Sequence, residues 1–259
     1  MNIVRFNAND APVIGYLHED HDRLVAHKTR PALIVCAGGG YNHVSKRESD
    51  PAALRFLALG YQTFLLEYSV EEKAGALRPL KELAATVRIL RERAEEWRIE
   101  PEHIAVMGFS AGGHLAASLG ILWDHPALGL GAESRPDALI LGYPVITTGP
   151  FGHAESARNV SGGDADLMAL LSLEKQVTKS MPPTFLWHCL GDETVPAENA
   201  LMLAAAMRQA GVPFELHLFE EGAHGISVGT QETETLWPDL QIWVHLSQTW
   251  LNKRFQFIP

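Results

Sequence analysis

The residues best equipped for chemistry are a serine, an aspartate and a histidine on three widely separated segments. Gly108-Phe109-Ser110-Ala111-Gly112 follows the apolar run IAVM over 104–107. If that run is a strand and a helix opens at Ala111, Ser110 occupies the sharp turn between them. Side chains two residues before and after such a turn would collide, and glycine at 108 and 112 removes the collision. The strained turn lifts the serine hydroxyl clear of the backbone, beside amides at a helix N-terminus that favour anions. Such a residue suits nucleophilic attack that generates an oxyanion. The bland alternative is a packing turn between strand and helix.

A serine hydroxyl is a poor nucleophile without a base, and the base must be oriented by an acid. In a strand–turn–helix arrangement the expected chain order is serine, acid, histidine. Asp192 lies in LWHCLGDETVP, directly beyond an apolar run, and His224 lies in EEGAHGIS, a glycine-flanked loop after the next run. All three fall at the carboxyl ends of predicted strands. Glu193 is an alternative acid, and Asp192 has an alternative use as a cap for the helix after Pro196. His114, four residues after Ser110, would be held below it by a helix, which suits packing or a supporting hydrogen bond. His43 and His188 read as structural residues.

The same chemistry needs hydrogen-bond donors for the developing negative oxygen. In CAGGGY over 36–41, consecutive glycines let backbone N–H groups turn into a site unobstructed. Gly39 and Gly40, together with Ala111, are the candidate donors. As a dinucleotide loop this stretch fails, since no G-x-G-x-x-G is completed and no ribose-binding acid follows.

These groups need a scaffold that brings strand ends together. Short, nearly continuous apolar runs bounded by glycine, Ala32–Cys36 and Thr63–Glu67, read as strands buried on both faces. Further strands are expected at Ile3–Phe6, Val13–Leu17, 104–107, 138–142, 184–189 and 214–219. Helices are expected from Asp50, as cap before Pro51, to a stop at Gly60, then over 77–97, from Ala111, over 197–210 and near 237–251. The run RERAEEW at the end of 77–97 reads as a solvated face. Alternating strands and helices predict an α/β fold with a mostly parallel central sheet and helices on both faces. The glycine-rich segment 149–181, with a short helical stretch near Leu167–Leu171, reads as an insertion over the sheet edge within a single domain, 1–259.

Together these segments resemble the α/β-hydrolase superfamily in its esterase/lipase branch, over nearly the whole chain. More narrowly, AGGGY, GFSAGGHLAASL, PPTFLWHCLGDETVPAENALMLAAAM and PFELHLFEEGAHG are similar to bacterial xylan esterase-like proteins, which include carbohydrate acetyl esterases and feruloyl esterases. The resemblance implies Ser110 as nucleophile, Asp192 as orienting acid, His224 as base and the 39–40 amides as oxyanion donors. It implies a serine carboxylic-ester hydrolase that removes short acyl groups from carbohydrate such as acetylated xylo-oligosaccharides, without metal or organic cofactor. Ala37 departs from the H-G-G start of many lipase-like and formamidase-like relatives. Two other readings stay open, a small-amide hydrolase of the kynurenine formamidase type and a hydrolase-fold binding protein without catalysis.

Composition bounds the partners. The 259 residues carry a formal net charge of −10, a field that repels a nucleic-acid backbone but admits a small neutral ester. No stretch approaches the ~18–20 apolar residues of a membrane span, and the N-terminus lacks the pattern of a secretory signal. With two cysteines, Cys36 and Cys189, neither a disulfide framework nor a cysteine-based zinc site is expected. A cytoplasmic protein, with room for a homo-oligomer, is the resulting expectation.

Overall fold

The computed structural model describes residues 1–19 and 28–259. Eight strands form one sheet: β1 (Asn2–Ala8), β2 (Ala11–Leu17), β3 (Arg30–Cys36), β4 (Gln62–Leu66), β5 (Ile99–Phe109), β6 (Ala138–Gly142), β7 (Thr184–Cys189) and β8 (Phe214–Phe219). Their order is β1-β2-β4-β3-β5-β6-β7-β8. β1 and β2 join antiparallel, β2 joins β4 antiparallel, and every later pairing is parallel. The mostly parallel sheet agrees with the α/β expectation.

The central strands are buried where they run under the helices, β5 over its last six residues, because helices cover both faces. Alternate residues supply the two sides, as the pleat requires. Ile34, Val106, Leu139 and Leu186 face one core, which includes α2 (Arg78–Glu92), α4 (Ser110–Leu122) and α7 (Glu198–Ala210). Val35, Met107, Ile140 and Trp187 face the other, under α1 (Asp50–Ala58) and α8 (Ile242–Phe255). In the second core Trp187 stacks on Trp243 with ring centroids 5.0 Å apart.

α4 passes so close to the sheet that all its residues are buried. A Cβ at Gly112 would lie 2.1 Å from the Cys36 carbonyl oxygen, and one at Gly108 would lie 2.2 Å from the Gly112 carbonyl oxygen. The two motif glycines therefore press strand and helix together, and no side chain fits at either.

Several elements differ from the sequence expectation. The expected helix 77–97 divides into α2 and a single turn, α3 (Ala94–Trp97). Its RERAEEW end is only partly solvated. Arg91 makes two bonds to Asp137, at 3.1 and 3.0 Å, and Trp97 is buried beneath Arg93. Asp50 is the first residue of α1 rather than its cap, and its carboxylate accepts a hydrogen bond from Tyr16. β5 extends to Ile99, with irregular pairing around Pro101, which has no N–H to give. The last helix starts later, at Ile242, after a 3₁₀ turn over Pro238–Gln241.

The segment 149–181 holds two short helices, α5 (Ala154–Ser161) and α6 (Ala165–Leu170). Their caps explain them. The His153 ring accepts from the Ser156 amide, Gly162 closes α5 at φ +63°, and Asp164 accepts from the amides of Asp166 and Leu167. Asn159 then donates to the Gly40 carbonyl at 3.0 Å, which sets this segment over the carboxyl edge of the sheet beside the glycine loop.

Candidate active site

β5 ends at Phe109 with extended backbone, and the chain turns into α4 at Ser110, whose φ is +53°. A non-glycine residue in that left-handed region costs about 1–2 kcal/mol, and the close packing of Gly108 against Gly112 holds it there. The hydroxyl Oγ lies 2.8 Å from His224 Nε2. His224 Nδ1 lies 2.7 Å from Asp192 Oδ2. Because the carboxylate only accepts, Nδ1 carries the ring proton and the Nε2 lone pair faces the serine hydroxyl. Residues separated by 114 and 32 positions thus share one hydrogen-bonded chain.

The aspartate is fixed on its other side as well. Oδ1 accepts from the amides of Thr194, at 3.0 Å, and Val195, at 2.9 Å. Asp192 therefore caps the turn before Pro196, whereas α7 has Ala197 in its cap position without a side-chain cap bond. His188 is fully buried, donates through Nε2 to the Val195 carbonyl at 2.8 Å, and stands 3.5 Å from Asp192 Oδ2. Burial by itself would raise the Asp192 carboxyl. The nearby Nε2–H of His188, the hydrogen bond and charge of His224 and the Val195 amide outweigh it and hold the group below the usual carboxylate range. Glu193, the alternative acid, is exposed.

The glycine loop leaves β3 and meets Ser110 directly. A Cβ at Gly38 would lie 2.9 Å from the serine Cβ. Gly39 and Gly40 adopt φ of +122° and +66° and border the same cavity as Ser110 and His224. Ala111 is fully buried in the first turn of α4, where helix amides lack intrahelical partners. Among the described residues no acceptor meets the N–H groups of Gly39, Gly40 or Ala111.

The cavity measures about 240 Å³, and Asn42, Arg47, Glu48, His153 and Glu155 are among its walls. A larger groove of about 910 Å³ adjoins it, sharing Asn42 and Glu155 and bordered by Glu67, Glu72, Lys73 and Arg158. His43 stands exposed at the cavity rim, not in a structural position as its sequence context suggested. His114 is buried between the Tyr41 hydroxyl, 2.9 Å from Nδ1, and the Leu171 carbonyl, which accepts from Nε2 at 3.0 Å. Burial pushes its pKa down to about 4, so it is a neutral strut. Glu48 and Tyr143, whose side chains meet at 2.7 Å beside the site from positions 95 residues apart, carry no local signal in the sequence. His153 among the glycines of 149–181 was a signal that its neighbourhood could have revealed. Among the described residues no group of three His, Cys, Asp or Glu side chains could hold a metal ion, and no helix is long and apolar enough to cross a membrane. Both cysteines are free and buried.

A serine, a histidine and an aspartate stand together at the carboxyl ends of parallel strands, the arrangement that a serine hydrolase site would take on an α/β sheet. The comparisons with known proteins bear on the fold and the family. The model of the prolyl oligopeptidase family matches residues 77–245, and that of BD-FAE matches residues 20–133. The chain is 34% identical to endo-1,4-beta-xylanase B of Butyrivibrio fibrisolvens, over 87% of this chain and 36% of that protein. It is 30% identical to an acetylxylan esterase of Xylanibacter ruminicola, over 82% of this chain and 45% of that protein. The chain thus spans less than half the length of these two relatives. The crystal structure of an acetyl ester-xyloside bifunctional hydrolase from Caldicellulosiruptor lactoaceticus superposes with a TM-score of 0.83 at 33% identity, covering 96% of this chain and 89% of that one. The chain belongs to the prolyl oligopeptidase family, whose model covers more than half of it, and is an esterase-like α/β-hydrolase.

Proposed function

We propose that the chain is a serine carboxylesterase that removes short acyl groups, acetyl above all, from carbohydrate. The observation that carries this reading is the continuous relay from Ser110 Oγ through His224 to Asp192, opening on a cavity bordered by free amides. Ser110 Oγ attacks the acyl carbonyl while His224 Nε2 takes its proton. Asp192 stabilises the imidazolium and keeps the ring in its tautomer. The N–H groups of Gly39, Gly40 and Ala111 receive the oxyanion, each donor contributing ~2.7–4 kcal/mol to the transition state. The protonated imidazole then delivers its proton to the departing alcohol. Water, deprotonated by the same nitrogen, attacks the acyl-serine, and the acid and free Ser110 are released.

The size of the cavity supports a short acyl group, and the adjoining groove supports a polar, many-hydroxyl alcohol. Its carboxylates, amides and cations present hydrogen-bonding groups suited to sugar hydroxyls. Similarity to an acetylxylan esterase and to an acetyl ester-xyloside bifunctional hydrolase supports the same reading. The free buried thiols fit a reducing, cytoplasmic setting, in which small acetylated xylo-oligosaccharides would be the substrate. Hydrolysis of p-nitrophenyl acetate should be lost in Ser110→Ala; equal rates would remove Ser110 from the mechanism. A panel of acetylated xylo-oligosaccharides, feruloyl esters and N-formylkynurenine should favour the first. Preference for the formyl amide would replace the ester reading, and a Ser110 unlabelled by a fluorophosphonate would indicate a binding protein.

A further inference from the structure

One buried carboxylate beside the site has no part in the chemistry above. Glu48 is only 3% exposed, although it belongs to a polar run, SKRESD, typical of solvated loops. Its Oε2 accepts from the Gly38 amide at 2.7 Å, and its Oε1 accepts from the Tyr143 hydroxyl at 2.7 Å. The Tyr143 oxygen in turn accepts from the Ser227 amide at 2.9 Å. Tyr143 also lies edge-on to the His224 ring, with centroids 5.1 Å apart. A burial of this kind is costly unless both oxygens are satisfied.

The two ends of this network reach the two moving parts of the proposed reaction. Gly38 abuts Ser110 and immediately precedes Gly39 and Gly40, whose amides are free. Ser227 is three residues beyond His224 in the same loop. The Gly38 carbonyl is also occupied, accepting from the Ser45 amide at 3.0 Å, so the peptide units on both sides of Gly38 are tied to the segment bearing Glu48. We propose that Glu48 is a positioning residue, whose carboxylate holds the oxyanion loop through Gly38 and the base loop through Tyr143 in mutual register. This rests on the roles given above to Ser110, His224 and the loop amides. Glu48 touches no reacting atom. Its effect is to fix where the 39–40 amides and the His224 ring stand relative to Ser110 Oγ, and so to favour the transition state over the bound ester.

The substitutions separate the two arms. In Glu48→Gln the amide oxygen can still accept from Gly38, but the NH2 group faces the Tyr143 oxygen and the tyrosine hydroxyl loses its acceptor. Tyr143→Phe removes the same arm from its other end. Glu48→Ala releases both. The test is p-nitrophenyl acetate kinetics on the full chain, with thermal unfolding to verify folding and Ser110→Ala as reference. If Ser110→Ala retains wild-type activity, the underlying reading fails and the positioning role falls with it. If Ser110→Ala is inactive, kcat should fall about tenfold in Glu48→Gln and in Tyr143→Phe, and about a hundredfold in Glu48→Ala, with KM within about threefold, on the scale of a displaced oxyanion donor. The Gln and Phe changes combined should cost no more than Tyr143→Phe alone, because that change already cuts the arm from Glu48 through Tyr143 to Ser227. Inactivation by a fluorophosphonate, whose adduct places an oxygen at the oxyanion position, should slow in step with kcat. A folded Glu48→Gln or Tyr143→Phe protein with kcat within about twofold of wild type, or with the loss confined to KM, overturns the proposal. These two near-isosteric variants decide it if Glu48→Ala does not fold.

Discussion

Asp192 shows how much a single side chain carries in this site. Both oxygens are engaged, one by the His224 ring and one by the amides of Thr194 and Val195. Asp192→Asn would keep the size and the turn but present an NH2 group or a weaker acceptor to Nδ1, releasing the ring to the wrong tautomer. Under the proposed mechanism kcat should fall by as much as ~10⁴, measured as initial rates with p-nitrophenyl acetate, while Glu193→Gln leaves the rate near that of the wild type. A larger loss in Glu193→Gln would reassign the acid. The sequence distinguishes these neighbours only weakly, since both follow the same strand. The turn decides between them: it buries one carboxylate and exposes the other.

At the scale of elements, the close approach of α4 to the sheet sets the position of Ser110. Gly112 has no space for a methyl group, with carbonyl oxygens of Cys36 and Ala37 2.1 and 2.3 Å from where its Cβ would stand. Gly112→Ala must push the helix off the sheet, and we expect it to cost roughly 3 kcal/mol or more in urea unfolding, on the scale of severe core disruptions. Gly162→Ala provides the contrast. Its φ of +63° is unfavourable for alanine, but nothing lies within 4 Å of the added carbon. It should cost only about 1 kcal/mol, the backbone term alone. Equal losses would show that α4 can relax away from the sheet. The sequence makes the strand–turn–helix unit legible through its two glycines, whereas the short helices of 149–181 depend on caps from His153 and Asp164 that hydrophobic spacing does not reveal.

Across the whole molecule, His114 joins three parts: the glycine loop through Tyr41, α4 through its own backbone, and the 149–181 segment through Leu171. It stays neutral in the native protein down to about pH 4. In the unfolded chain a histidine takes up its proton near pH 6.5. The unfolded state therefore binds the proton first, so stability is complete above that pH and falls as the pH drops towards 4. The decrement amounts to about 3 kcal/mol. Urea unfolding of the native protein should weaken between pH 7 and pH 4 by more than that of His114→Gln, which keeps a donor for Leu171 and an acceptor for Tyr41. Parallel pH dependences would place the acid sensitivity elsewhere. Asp192 adds to the acid side only at lower pH, because its stabilisation is present above the ordinary carboxylate range and is lost as the pH falls below it.

The amino-acid sequence by itself determined the alternation of strands and helices, the glycine-flanked turn at Ser110, and the chain order of serine, acid and histidine. These are local facts, written in hydrophobic period and in the backbone freedom that particular turns demand. The tertiary structure alone decided which neighbouring acid meets His224, that His43 stands at the cavity rim, and that Glu48 is a buried anchor rather than a solvated charge. Such outcomes depend on contacts between residues dozens of positions apart, such as Glu48 with Tyr143 at a separation of 95. No local pattern encodes them, because the energy that selects each partner arises only when packing of the sheet and its helices has excluded water from both.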